Sequence, residues 1–144
     1  MKPAIENTAL NQEWITLQNN YEQYERSALF IKLASVAIWT IALSAGLNEI
    51  LIGIVMLILW LQESIFKTYQ SRLGNRILRV ENLIKQNIQT EDVAFQLHSD
   101  WVGQRRGGIS LIVEYLKHAL KPTVAFPYVV LLLVNCALFI IWSK

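Results

Sequence analysis

Residues 28–66 decide the fold of this chain: they read ALFIKLASVAIWTIALSA (28–45), GLNE (46–49) and ILIGIVMLILWLQESIF (50–66). Two apolar runs are thus separated by four residues, and a third run, residues 124–142, follows much later. A hydrocarbon core of roughly 30 Å is crossed by about 17–25 apolar helical residues, and each run meets or nearly meets that length. Because backbone groups in lipid must pair within their own segment, such runs form helices. The sequence predicts an all-α integral membrane protein with three transmembrane helices.

The composition agrees with this class. Hydrophobic residues make up 53% of the 144 residues and charged residues only 17%, whereas an ordinary soluble domain is less apolar and more charged. The remaining chain is too short to cover three apolar helices in water. We expect a single membrane unit in which residues 1–26 form a cytoplasmic amphipathic helix and residues 67–121 form a cytoplasmic helical segment before the third span.

The distribution of Lys and Arg predicts the orientation. Segment 67–121 contains nine of the 13 basic residues, whereas the turn at 46–49 contains none. Positive residues near spans stay on the cytoplasmic side. We therefore expect the N-terminus and segment 67–121 in the cytoplasm, the C-terminus outside, and a plasma membrane location, in bacteria the inner membrane.

Lys32 and Glu63 are the ionisable residues inside the first two runs. If these runs form an antiparallel hairpin whose turn is centred between Leu47 and Asn48, residues whose numbers sum to 95 lie at the same depth, and 32 plus 63 is 95. Charges near hydrocarbon are costly alone and tolerated in pairs, so the register predicts a structural ion pair. Three alternatives remain: Lys32 extends to the headgroups, Glu63 pairs with Lys67, or the pair couples to a proton or ion.

Apolar stripes extend both helices beyond the runs and predict one long hairpin from about residue 8 to residue 88. The first stripe contains Leu10, Trp14, Leu17, Tyr21 and Ala28, and the second contains Phe66, Tyr69, Leu73, Ile77, Val80, Ile84 and Ile88. On the same register Tyr21 lies level with Gly74, where a missing side chain makes room for the ring, and Leu17 lies level with Leu78. Asn48 is expected to cap the second helix.

Five arginines are predicted to form a cytoplasmic basic surface. They are Arg72, Arg76 and Arg79, spaced as a helical stripe, with Arg105 and Arg106 in a flexible RRGG turn. The stripe can bind anionic lipid headgroups, at about 1 kcal/mol per basic residue. Alternatively it binds the acidic N-terminal helix, where Glu22 and Glu25 fall near Arg72 and Arg76 on the hairpin register.

The segment leading into the third run has its own pattern. A helix over residues 109–120 places five apolar side chains on one face, which suits an interfacial position at the cytoplasmic leaflet. These are Ile109, Ile112, Val113, Leu116 and Leu120. Pro122 suits the start of the third span, and Pro127 removes a hydrogen bond or bends it. Asn135 places an amide near mid-membrane, where we expect it to contact another helix rather than a substrate.

Motifs of catalysis and cofactor binding are missing from the sequence. It contains no glycine-rich phosphate loop, HExxH or GxSxG. His98, His118, Asp100 and Glu114 make a metal site only if a fold is assumed. The net charge of +2 gives no support for a nucleic-acid partner. We expect no enzyme activity, cofactor or metal; a weaker hypothesis is a lipid-acting enzyme that uses His98, Asp100 and Arg105.

Two functions remain. The first is a non-enzymatic scaffold or accessory subunit that associates with itself or with a larger membrane complex, in contact with the lipid bilayer, whose anionic headgroups are a candidate partner. The alternative is a homo-oligomeric pore or membrane-acting effector gated by its cytoplasmic helices. A pore needs a polar lining, for which Ser35, Thr40, Ser44 and Asn135 are the candidates.

The order of the parts resembles the SLATT type of bacterial two-span effector domain. The shared layout is an amphipathic helix that leads into a two-span hairpin and then into a basic helix. The resemblance lies in this architecture and in no diagnostic motif. The third run at 124–142 departs from it.

Overall fold

A computed structural model describes residues 9–86, 93–97, 99, 102 and 107–142 of the chain. Its main helices are α1 (Ala9–Ser44), α2 (Glu49–Lys85), α3 (Gly108–Ala119), α4 (Pro122–Ala125) and α5 (Tyr128–Trp142). The described residues contain no strand. The all-helical class predicted from the sequence is therefore confirmed.

Helices α1 and α2 are long enough and apolar enough to cross a membrane. They contain 36 and 37 residues, which corresponds to about 55 Å each at 1.5 Å per residue. Each helix continues without a break from its apolar run into the polar sequence beyond it. The two runs are therefore the inner halves of much longer rods.

The turn between α1 and α2 is short because two residues suit it. Gly46 has a φ of +66°, a backbone conformation that costs glycine little. The Asn48 side chain accepts hydrogen bonds from the backbone N–H groups of Ile50 and Leu51, at 2.9 and 3.3 Å. These bonds satisfy two of the free N–H groups at the start of α2. The N-cap prediction for Asn48 is confirmed.

Contacts along the two rods show that they lie antiparallel. The Trp14 indole N–H donates to Glu81 Oε1 at 3.1 Å, and the numbers of this pair sum to 95. A Cβ atom added to Gly74 would lie 3.4 Å from Tyr21 Cε2, so the predicted space for the ring is confirmed. Leu78, which the register set level with Leu17, is 60% exposed and lies outside the core. Leu17 belongs to the same core cluster as Ile77, the residue before Leu78.

The apolar core lies where the two rods extend beyond the apolar runs. Its buried members are Leu10, Leu17, Leu73, Ile77, Val80 and Ala94. Trp14, Tyr21 and Tyr24 pack against it. This half of the molecule is thus built like the inside of a soluble helical bundle.

The predicted third run is divided into two helices. Phe126 has an extended backbone (ψ 131°), as expected for the residue before a proline, and Pro127 has no N–H to continue a helix. Helix α5 has 15 residues, or about 22 Å. The continuous helix expected over 124–142 is therefore wrong in detail, because Pro127 breaks it rather than bending it.

Candidate functional site

Lys32 and Glu63 meet where α1, α2 and the break in the third run come together. Lys32 Nζ lies 3.0 Å from Glu63 Oε1, and the Glu63 side chain is 0% exposed. The ammonium also donates a hydrogen bond to the backbone oxygen of Thr123. One side chain of α1 therefore binds both α2 and α4.

Pro127 explains why Thr123 needs this partner. In a continuous helix the oxygen of Thr123 would accept from the N–H of residue 127, four positions later. Proline has no such N–H, so the Thr123 oxygen has no backbone donor at this point of the chain. The Lys32 ammonium takes the place of the missing donor.

Two hydroxyl groups complete this cluster, which we call the polar junction: Lys32, Ser35, Glu63 and Tyr128, with the Thr123 oxygen. Ser35 and Tyr128 are fully buried, and the Tyr128 hydroxyl lies beside both Glu63 and Ser35. The Tyr128 ring stacks on Trp60, with ring centroids 6.2 Å apart and planes 8° from parallel. The Lys32–Glu63 ion pair, the Lys32–Thr123 bond and the Tyr128–Trp60 stack thus hold helices together here, whereas the Ser35 hydroxyl donates to the Lys32 oxygen of its own helix.

Side chains of α2 also bind backbone oxygens of α3. The Trp60 indole N–H donates to the Ala119 oxygen at 3.1 Å, and the Ser64 hydroxyl donates to the Tyr115 oxygen. Ala119 is the last residue of α3, and the final carbonyls of a helix have no partner within it. These two bonds therefore place the end of α3 beside residues 60–64 of α2.

His118 lies buried between α3 and α2. Its Nδ1 is 3.0 Å from Thr68 Oγ1 and 3.1 Å from the Glu114 oxygen. The Thr68 hydroxyl donates its own hydrogen to the Ser64 oxygen at 2.9 Å, so Nδ1–H is the group that donates to Thr68 or Glu114. Burial, followed by the positive charge of Lys121, lowers the pKa of His118 below its ordinary value.

This pKa shift predicts a loss of stability in mild acid. Because the folded pKa lies below the ordinary 6.5, the unfolded chain binds more protons between the two values, and stability falls as pH drops. The free energy of unfolding in detergent should be constant, as far as His118 is concerned, above about pH 6.5 and decrease below it. His118 faces Lys121 and Arg72 as well as Glu114. His118→Gln should reduce the slope below about pH 6.5; an unchanged slope would assign it to other groups.

Arg76 does not lie on an exposed basic surface; it binds the N-terminal helix, as the alternative prediction stated. Its side chain is only 3% exposed, and it forms a two-point ion pair with Glu13, Nε to Oε1 at 2.8 Å and Nη2 to Oε2 at 3.0 Å. Arg72 pairs with Glu114 of α3 at 2.9 Å, and Arg79 also has an interaction partner. Arg105 and Arg106 lie outside the described residues.

The acidic partners proposed for these arginines are also corrected. Glu22 pairs with Arg26 on its own helix at 3.7 Å, and Glu25 accepts from Gln70 Nε2 at 3.4 Å. The acid that reaches Arg76 is Glu13, further towards the start of α1. Glu13 lies between Leu10 and Leu17 of the first apolar stripe, a spacing that could have indicated its burial.

Asn135 makes its contact within the same chain. Its Nδ2 donates to the backbone oxygen of Glu49 at 2.9 Å, and Gly53 leaves room for the amide. Since Glu49 begins α2, Asn135 lies near the end of the long pair rather than at its middle. The predicted inter-helix contact is made by α2, so the amide gives no argument for a partner helix.

The metal hypothesis relied partly on residues that the structure leaves undescribed, His98 and Asp100. Within the described ranges, no three His, Cys, Asp or Glu side chains come close enough to bind a metal ion. His118 is held by Thr68 and Glu114 instead.

Comparison with known proteins finds no similarity. No family model matches the chain, and no curated protein or solved structure resembles it significantly. A function must therefore be inferred from the contacts described above.

Proposed function

We propose that this chain is a multi-pass membrane scaffold or accessory subunit, non-enzymatic, that works by associating with itself or with other membrane proteins. The observation that carries the proposal is a rigid pair of helices that continues far beyond the apolar runs. Residues 67–85 of α2 extend about 28 Å past the second run and pack on the first part of α1 around the buried Glu13–Arg76 pair. This extension of the helix pair beyond the membrane offers a surface on which other proteins can bind.

The placement in a membrane is supported by an inverted distribution of side chains in the two apolar runs. The residues of α1 that are buried there are small, namely Ala28, Ser35 and Ala42. In the second run α2 buries the larger Ile52 and Met56, but most large aliphatic side chains of the two runs face outward. Exposed residues of the two runs include Leu29, Phe30, Leu33, Ile41, Leu51, Ile54, Leu57, Ile58 and Leu61. Small residues at helix contacts and large apolar ones outside are typical of helices packed in lipid.

The third crossing is proposed to consist of α4 and α5 together. Thr123 lies beside Lys32 and Glu63, and Asn135 lies beside Glu49. Residues 123–135 therefore cover the depth of residues 63–49 of α2, about 21 Å, and residues 136–142 add about 10 Å. The total is close to the roughly 30 Å of a hydrocarbon core. On this arrangement the N-terminus lies in the cytoplasm and the C-terminus outside, in bacteria across the inner membrane.

The pore alternative has less support. Two of its four candidate lining residues are engaged elsewhere: Ser35 is buried in the polar junction, and Asn135 binds Glu49. Thr40 and Ser44 are exposed, but each hydroxyl donates to a carbonyl of its own helix, at 2.8 Å in both cases. A ring of copies would have only these two hydroxyls per chain as a lining.

The test is the mass of the native complex after extraction in a mild detergent. We expect either several copies of the chain or the chain with other membrane proteins, and no stepwise conductance when the purified complex is added to planar bilayers. A Thr40→Val/Ser44→Ala variant is the matched control, because it removes the only exposed hydroxyls on this part of α1. Conductance steps that this variant abolishes would favour the pore, and a solitary monomer in membranes would contradict the scaffold.

A further inference from the structure

Helix α3 packs on α2 with its polar side and turns its apolar side outward. Glu114 and His118 contact α2, where they bind Arg72 and Thr68, and Tyr115 lies beside Tyr69 of α2. The predicted apolar face is exposed along its whole length: Ile109 (82%), Ile112, Val113, Leu116 and Leu120. A helix in water would bury this face and expose the other. The orientation therefore requires an apolar environment around α3.

The position of α3 along α2 indicates what that environment is. Its last turn lies beside Trp60 and Ser64, within the final turns of the second apolar run. Leu61, in the same part of α2, is also exposed. The apolar face of α3 is thus continuous with side chains that face lipid if α2 spans the membrane.

Charge selects the kind of lipid. Lys117 and Lys121 are exposed beside the apolar face, and neither pairs with a described carboxylate. The one acid of α3, Glu114, is already paired with Arg72. Two ammonium groups at the edge of an apolar face match the phosphates of an anionic leaflet.

We propose that α3 is a lipid-binding helix that docks on the cytoplasmic leaflet and selects anionic phospholipids through Lys117 and Lys121. The apolar face lies among acyl chains, and the lysine side chains extend to the phosphate groups, as long basic side chains do at interfaces. Docking also keeps α3 against α2, so that His118 and Glu114 remain beside Thr68 and Arg72. The inference rests on the proposed function in one respect, that α1 and α2 cross the bilayer.

The experiment uses the full chain in mild detergent and measures binding of phosphatidylglycerol and phosphatidylcholine by native mass spectrometry. We expect stronger binding of phosphatidylglycerol, reduced about fivefold by Lys117→Gln or Lys121→Gln and about thirtyfold by both together. Lys85→Gln is the matched control for the single variants: it removes one lysine charge from an exposed position of α2, about 28 Å past the second run, and should leave the preference unchanged.

A second measurement locates the apolar face. In a Cys136→Ser background, a spin label on Val113→Cys should be more accessible to oxygen than to a water-soluble nickel complex in vesicles with 30% phosphatidylglycerol. Equal loss of lipid preference in the lysine and control variants would overturn the inference, as would a water-exposed label at position 113.

Failure of the proposed function has a different signature. Proteoliposomes washed at alkaline pH should retain the chain if α1 and α2 span the bilayer. Release of the chain would reject the spans, and with them the docking of α3. Retention without any effect of the lysines would reject the lipid-binding helix alone.

Discussion

Replacing Arg76 by leucine is expected to cost about 3–5 kcal/mol of unfolding free energy, because the substitution leaves the Glu13 carboxylate buried and unpaired. Both side chains of the pair are almost fully buried, at 3% and 4% exposure. Arg76 also donates to the Val93 oxygen at 2.9 Å, and Glu13 accepts from the Phe95 N–H at 2.7 Å. The pair therefore holds residues 93–95 against the hairpin, in addition to joining α1 to α2. Reversible unfolding in mixed detergent micelles measures the change.

The chain contains its own control for this prediction. Arg26 and Glu22 are also an arginine and a glutamate, 3.7 Å apart, but both are exposed. Exposed pairs contribute about 0–1 kcal/mol, so Arg26→Leu should change stability little. Equal effects of Arg26→Leu and Arg76→Leu would contradict the role given to the buried pair.

A double variant separates the charge from the packing. Glu13→Leu/Arg76→Leu removes both charges and should recover most of the loss, because no buried ion is left unpaired. Recovery should be incomplete, since the Phe95 N–H and the Val93 oxygen lose their partners. A double variant as unstable as Arg76→Leu would show that the arginine acts through something other than Glu13.

The second large effect is expected at the polar junction. Glu63→Lys puts a second ammonium group at a fully buried position beside Lys32, whose side chain is 23% exposed, and we expect a loss of about 3–5 kcal/mol or failure to fold. Exchanging the pair, by adding Lys32→Glu, should restore only part of the stability. A carboxylate at position 32 cannot donate to the Thr123 oxygen, which the native lysine does, so that carbonyl would remain without a partner.

The partial rescue distinguishes this arrangement from a simple ion pair. A simple pair would be restored fully by the exchange, and two independent side chains would not be restored at all. Lys67 provides the control, because it is the other lysine near Glu63 and instead donates to Gln70 Oε1 at 2.8 Å. Lys67→Glu should therefore give no rescue of Glu63→Lys. The measurement is the thermal midpoint in detergent of the single and double variants.

Features set by local sequence could be predicted. Apolar length and period predicted two long helices, and the Asn48 side chain predicted where the second begins. The sum of 95 follows from the length of the turn, and it paired Tyr21 with Gly74 and set Lys32 level with Glu63. These predictions depend only on helical geometry and on neighbours in sequence or across one tight turn.

Features that depend on how one helix packs against another could not be predicted in the same way. For Arg76 the N-terminal helix was one of two predicted partners, but the hairpin register pointed to Glu22 and Glu25, whereas the acid that pairs with Arg76 is Glu13. The level of Asn135 was missed for a related reason: it depends on where the break at Pro127 places α5 along α2.

The sequence by itself thus determined the helices, their apolar lengths and the turn that joins α1 to α2, because hydropathy, capping and proline act within a few residues. Only the tertiary structure decided that Lys32 serves both Glu63 and Thr123, that Arg76 is buried, and that α3 turns its apolar face outward. Those outcomes depend on contacts between residues 31 to 91 positions apart, whose energies are decided by the packing of whole helices rather than by any local pattern.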